Sequence, residues 1–326
     1  MTTDKFAEKI REKFFKVGGL NDFLTRLEEF IDERSIGWEG RIGSLTGESQ
    51  VGKTHLVRAF ATAMNERASP GSIPPVVIVE LLAPVTIKSL FEVCLAALGA
   101  PILRSETIPA MERRVVHFLK EGGVRLLVLD EFQHLKRVKG SPLDLLCDTI
   151  KSLVNKSRLP ILAVGTREVH RILQHDPQVN SRHTMAIELH PFAGPDGATR
   201  DSQPTYAQFR AAVKALVTGR PSGEAGIFEQ PENLAALHAA CRGYWRRLVD
   251  LIQETQKVAK TDRVSEVTSE HLQTAICRMP PLLVERSLVD LQDNELPTPR
   301  EQKLIRQRRR TKTLKIAGQV AMKKAG

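Results

Sequence analysis

The stretch Gly47-Glu48-Ser49-Gln50-Val51-Gly52-Lys53-Thr54 matches G-x-x-x-x-G-K-[ST] at every fixed position. It stands between a strand-like run, Ile42-Gly43-Ser44-Leu45-Thr46, and a helix-like one, His55-Leu56-Val57-Arg58-Ala59-Phe60. That setting gives the pattern a physical meaning. Gly47 and Gly52 permit a tight turn whose successive N–H groups converge on an anion, and a helix starting near Lys53 adds the positive end of its dipole. The expected result is a phosphate cradle built from residues 47 to 54 and the adjoining His55. Lys53 is placed to reach β- and γ-phosphates as a point charge, and the Thr54 hydroxyl to ligate Mg²⁺.

The rest of the chain supplies the sheet that such a loop needs. Val76-Val77-Ile78-Val79, Val124 to Asp130, Ile161 to Gly165 and Met185 to Leu189 are short apolar, largely β-branched runs. Runs of this kind fit strands buried on both faces of a parallel sheet. Between them the apolar residues recur at three-to-four spacing, as in Ile87, Leu90, Phe91, Cys94, Leu95 and Leu98. Alternating strands and helices predict an α/β fold with a parallel five-stranded sheet and right-handed crossovers. Residues 1–35 read as two amphipathic helices broken at Val17-Gly18-Gly19. Beyond Pro191 the strands stop, a Gly/Pro loop follows, and Tyr206 to Met279 is helical in pattern. The expected division is a helical segment over 1–35, the nucleotide-binding core over 36–195, a small all-helical domain over 196–282 and a basic arm over 283–326.

A second motif, Leu126-Leu127-Val128-Leu129-Asp130-Glu131, carries two acids at the end of an apolar strand. Ligands in open α/β sheets bind beyond the carboxyl ends of the strands, so this pair is expected to face the phosphate loop. Asp130 would hold Mg²⁺ and Glu131 would polarise an attacking water. Thr166 ends the fourth strand-like run, where it can either sense a γ-phosphate or cap the helix that starts near Glu168. Arg182 closes a helical segment just before the last strand. In Gly243-Tyr244-Trp245-Arg246-Arg247, two arginines open an amphipathic helix, and either can fold back on a nucleotide.

Together these elements resemble the AAA+ branch of P-loop ATPases. Pro75 to Pro84, Gly123 to Leu135 and Gly165-Thr166-Arg167-Glu168 are similar, more narrowly, to transposition ATPases of the TniB and TnsC type. The resemblance covers roughly residues 10 to 280. It implies Thr166 at the sensor-1 position, Arg182 as an arginine finger offered to a neighbour, and Arg246 as the sensor-2 arginine lying in a helical lid. It also implies ATP-dependent homo-oligomers, rings or helical filaments, on double-stranded DNA. These would steer a DDE transposase, with ATP hydrolysis dissolving the complex. A target-selection protein is a further implied partner.

The formal charge of +10 lies almost wholly in one place. Residues 297–326 hold ten Lys and Arg against Glu301, so residues 1–296 are close to neutral. Such an arm is a handle for nucleic acid or an acidic protein surface. Leu304, Ile305, Leu314 and Ile316 among its charges suit a segment that orders on a partner. Lys136, Arg137 and Lys139, after the acidic pair, and Lys88, after the second strand, are the candidate DNA contacts. With only 5% aromatic residues, backbone contact with a duplex is favoured over stacking on single strands. No apolar run is long enough to span a bilayer, and a cytoplasmic location is expected. Cys94, Cys147, Cys241 and Cys277 are far apart, so neither a zinc site nor a disulfide framework is expected. Two other functions fit the same motifs: a loader ATPase acting on a replicative helicase, and a nucleotide-dependent scaffold with little turnover.

Overall fold

The runs read as strands form one parallel sheet: β1 Ile42–Gly47, β2 Val76–Glu80, β3 Leu126–Asp130, β4 Ile161–Gly165 and β5 His183–Leu189. The structure is a computed structural model, and it describes residues 20–32, 40–66, 69, 71–82, 85–137, 143–195, 197, 203–217, 222–262 and 266–280. The first of the two expected N-terminal helices, Lys139 and the basic arm lie outside the described residues. All described residues belong to one compact unit, which ends at Pro280. No described helix is long and apolar enough to cross a membrane.

Strand order is β2-β3-β4-β1-β5. β1, β3 and β4 are buried at every position, which explains their unbroken small or apolar character. β5 is an edge strand, and its exposure alternates along its middle. Helices α1 Leu20–Asp32, α2 Lys53–Asn65, α3 Ile87–Ala97, α4 Ile108–Glu121, α5 Leu143–Ser157, α6 Glu168–His175 and α7 Pro177–Asn180 accompany the sheet. After it come α8 Tyr206–Val217, α9 Ser222–Glu229, α10 Pro231–Cys241, α11 Trp245–Thr261 and α12 Ser269–Arg278.

Successive strand residues point to opposite faces, and the core divides accordingly. Leu126, Val128, Leu162 and Val164 join a cluster with α1, α2 and the helices after β5. Leu127, Leu129, Ile161 and Ala163 join one with α3, α4, α5 and α6. The first cluster runs unbroken from Leu45 and Phe60 to Phe209, Leu248 and Leu272. The helices after β5 therefore have no separate core. Within the sheet the buried Ser44 and Thr46 hydroxyls are hydrogen-bonded to His183 Nε2 at 2.8 Å and His170 Nε2 at 3.1 Å.

Chain entry into α11 is set by a close backbone contact. Phe192 N–H donates to Gly243 O at 3.0 Å. Gly243 has φ 74°, and a Cβ there would lie 2.1 Å from Phe192 O. Both the left-handed conformation and the contact exclude a side chain. Gly243→Ala is expected to cost about 1–3 kcal/mol of stability, read as a lower urea midpoint with an unchanged slope. An unaltered midpoint would show that this contact does not hold the helices to the sheet.

Candidate nucleotide site

The loop from β1 to α2 passes through φ 153° at Gly47, 71° at Gln50 and 104° at Gly52. A Cβ at Gly47 would come 2.4 Å from Leu189 O, and one at Gly52 would meet the Trp245 ring at 3.2 Å. The glycines thus serve close packing against β5 and α11 as well as the turn itself. Gly52 occupies the N-cap of α2, and no side chain caps that end. The donors of the first helical turn are therefore left for a ligand, next to the positive end of the dipole.

Lys53 is 8% exposed. Its Nζ donates to Gly47 O at 3.0 Å and Glu48 O at 2.7 Å. Burial pulls its pKa below the usual lysine value, against the opposing charges of Glu131, Asp130 and Glu48. An ammonium partly stripped of water and lying among carboxylates is a site to which a polyphosphate with Mg²⁺ is complementary.

Asp130 ends β3, is 2% exposed and accepts the Glu131 N–H at 2.9 Å. Glu131 sits in the left-handed region at φ 57°, uncommon for a side chain of this kind. Its Oε2 accepts from the Gln133 amide, whose own Oε1 accepts the Thr166 N–H at 3.2 Å. Gln133 therefore ties Glu131 to the end of β4. Gly165 makes this possible, since a Cβ there would fall 2.1 Å from Gln133 Oε1. Sequence reasoning did not select Gln133. Its signal was its place two residues after the strand-end acids.

Because β4 lies between β1 and β3, Thr166 emerges between the phosphate loop and the acids. The N-cap of α6 is Arg167, with no side-chain cap. The Thr166 carbonyl accepts the Val169 N–H at 3.0 Å, so Thr166 also borders the first turn of α6. Arg182 lies elsewhere. Its carbonyl accepts the Ile42 N–H at 2.8 Å, at the start of β1. The six residues of β1 separate it from the loop by about 17 Å, at about 3.3 Å per residue. Arg182 Nε donates to Asn155 Oδ1 at 2.9 Å and its Nη1 to Gln178 O at 2.8 Å.

The start of α11 closes one side of the loop. Tyr244 OH donates to Glu48 Oε2, and Arg246 N–H donates to Gln50 O at 3.0 Å. The Trp245 ring centre lies 5.5 Å from that of His55. A cavity of about 480 Å³ results, lined among others by Ser49, Lys53, Thr54, His55, Glu131 and Arg246. Its size suits a small-molecule site. Arg246 is held at the wall by Asp250, with Nε 3.0 and 3.1 Å from the two carboxylate oxygens. Arg247 turns away and donates to Pro280 O at 2.9 Å, so helix rotation separates the two arginines. Within the loop, the Val51 side chain is buried. Arg58, Tyr244 and Asp250 are further contributors that the sequence reading did not select.

Oxygen donors at Thr54 and Asp130 have the chemistry Mg²⁺ prefers. Among the described residues no cluster of three or more His, Cys, Asp or Glu forms a metal site. A Mg²⁺ here would therefore rely on substrate phosphates for its remaining ligands. Of the candidate DNA contacts, Lys88 lies in the first turn of α3, its Nζ 3.9 Å from Glu92. Lys136 and Arg137 lie in a 3₁₀ turn after Glu131.

A family model described as the bacterial TniB protein matches residues 6–192. The chain belongs to the TniB family. A comparison with curated proteins returned no match. Among solved structures, the fold is similar to ORC2 of Aeropyrum pernix in ADPNP and ADP complexes (TM-score 0.61, 14% identity, 78% of this chain and 66% of that one). It is also similar to ORC1 of the same organism in complex with DNA (0.57, 21%, 78% and 63%) and to Cdc6p of Pyrobaculum aerophilum (0.57, 14%, 79% and 66%). The chain thus spans just under two thirds of the length of these proteins. With the parallel five-stranded sheet and the helices after it, these likenesses establish the AAA+ fold for this TniB-family chain.

The Tyr244–Glu48 contact has a pH signature. Burial first, then the hydrogen bond to Glu48, push the Tyr244 phenol up to about 12 from 10.0. A value raised on folding gives stability that is complete below pH 10 and lost as pH climbs towards 12. The stability advantage of the unaltered chain over Tyr244→Phe should therefore shrink across that window, as measured by urea unfolding at several pH values. A constant difference would rule the bond out as its source.

Proposed function

We propose that this TniB-family chain is an ATPase that binds ATP with Mg²⁺ in the cavity beside Lys53. It assembles head to tail on duplex DNA and, in that form, recruits or activates a transposase at the target site. Hydrolysis then releases the assembly. The observation that carries the reading is the buried Lys53 ammonium, which lies at an uncapped helix start and faces Asp130 and Glu131. The nucleotides in the ORC2 structure and the DNA in the ORC1 complex support the two ligand classes.

The chain's own groups divide the work. Residues 47 to 55 grip the phosphates by their backbone N–H groups and by Lys53. Thr54 and Asp130 would hold Mg²⁺, which would offset phosphate charge. Glu131 has one carboxylate oxygen engaged by Gln133 and presents the other to a water, taking its proton as the water oxygen bonds to the γ-phosphorus and the bond to the β,γ-bridging oxygen breaks, so that ADP leaves with that electron pair. Thr166 stands where the γ-phosphate would end, and Arg246 reaches in from α11. Arg182 is too far from its own loop to contribute, so it serves the pocket of the next protomer. An arginine supplied in this way is worth roughly 10³ to 10⁵ in rate. The basic arm is assigned to the transposase or a target-selection protein.

Lys53→Ala should lose the ATP-dependent rise in thermal midpoint and fail to assemble. Glu131→Gln should keep both and give assemblies that persist under light scattering. Assemblies of Glu131→Gln that dissolve at the normal rate would contradict its role.

Arg182→Ala and Glu131→Gln should each be inactive alone, yet regain turnover when mixed, because an intact arginine then meets an intact Glu131. A mixture as inactive as its parts would place Arg182 outside the neighbouring pocket.

A further inference from the structure

A second concavity of about 460 Å³ opens where α4 and α5 end, at the edge of the sheet opposite the phosphate loop. It is lined by Arg113, Val116, Lys120, Asn155, Lys156 and Arg158. Arg113 and Lys120 are seven residues apart on α4, on one face and about 10 Å from each other. Lys156 donates to Glu112 at 2.8 Å. Among the described residues no acid lies within ion-pair distance of Arg113, Lys120 or Arg158.

Arg158 stands just past the end of α5 at φ 55°, its N–H bonded to Val154 O at 2.9 Å. Helices commonly end with such a left-handed residue, and it is usually glycine. Here the position presents an exposed guanidinium to the cleft instead.

Helix ends argue for a plainer role, since cations at C-termini offset the macrodipole. Two termini supply only about −0.5 charge each, and Glu112 supplies one more negative charge. Against four cations this leaves the cleft with a net charge of about +2. Its lining has no aromatic side chain on which a base would stack. The chemistry therefore fits phosphodiester oxygens, not bases.

We propose that this cleft, framed by Arg113, Lys120, Lys156 and Arg158, docks the phosphate backbone of duplex DNA. The proposal rests on the DNA-binding reading above and gives it a surface other than Lys88, Lys136, Arg137 and Lys139. Contacts of this kind position the duplex without reading its sequence. Asn155 lines the cleft and also holds Arg182. The site thus borders the edge assigned to the neighbouring protomer, and a second copy of the chain is its competing occupant.

The test is the salt dependence of duplex binding by the full chain, measured by anisotropy of a labelled duplex with a non-hydrolysable ATP analogue. Lys120→Gln/Arg158→Gln should lower the slope of log affinity against log salt by about 1.8, or about 0.9 for each lost phosphate contact. The loss should be equal for duplexes of different sequence. Both residues are exposed, so thermal midpoint and binding of a fluorescent ATP analogue should be unchanged. An unaltered slope in that variant overturns the proposal. So does an unaltered slope accompanied by loss of ATP-driven assembly without DNA, which would give the cleft to the second copy. If the unaltered chain itself ignores duplex DNA, the DNA-binding reading falls first and this site with it.

Discussion

The structure turns on one ammonium that folding removes from water. Burying a charge is costly unless it is paired and hydrogen-bonded. Lys53 meets that demand only in part, with two loop carbonyls at 3.0 and 2.7 Å, and burial still holds its pKa below the ordinary value. The loop can bring those carbonyls inward because Gly47 and Gly52 take backbone angles that other residues avoid. The carboxylates of Asp130, Glu131 and Glu48 lie within electrostatic range of the same nitrogen. Under the proposed function, this cluster is complementary to an anion that carries its own cation.

Sheet order brings those groups together. With β4 between β1 and β3, the loop and the acids stand two strands apart. The gap is filled by Gly165, Thr166 and the Gln133 amide that ties Glu131 to the end of β4. The helices after β5 share the sheet's apolar cluster and reach the loop through Tyr244, Trp245 and Arg246. Motion of that segment would therefore be felt at Glu48, Gln50 and Gly52. The same sheet keeps Arg182 at its other edge, and this separation makes a single chain an incomplete catalyst under the proposed function.

Much of the fold was legible because the strands are buried on both sides. β1, β3 and β4 have no solvent face, so their sequences are unbroken runs that length and composition reveal. Boundaries were harder to read. β5 starts at His183, two residues before the apolar run, because His183 finds a partner in Ser44 on β1. β3 starts at Leu126, two residues later than its apolar run, because Arg125 and Leu126 first donate to Pro75 O. At the candidate site, the loop and the acids are contiguous motifs. Tyr244 meets Glu48 across 196 residues, a pairing no local pattern records. Which of Arg246 and Arg247 faces the cavity was likewise open in the sequence, since adjacent helix positions differ only by rotation about the axis.

Under the proposed function, the cavity beside Lys53 accepts ATP together with Mg²⁺. Calorimetric titration of the full chain with ATP, with and without Mg²⁺, tests it most directly. Binding should be saturable at a single site per chain, strengthened by the metal and abolished when the Asp130 carboxylate and the Lys53 ammonium are both removed. Absence of binding under either condition, or binding that survives that double change, would contradict it.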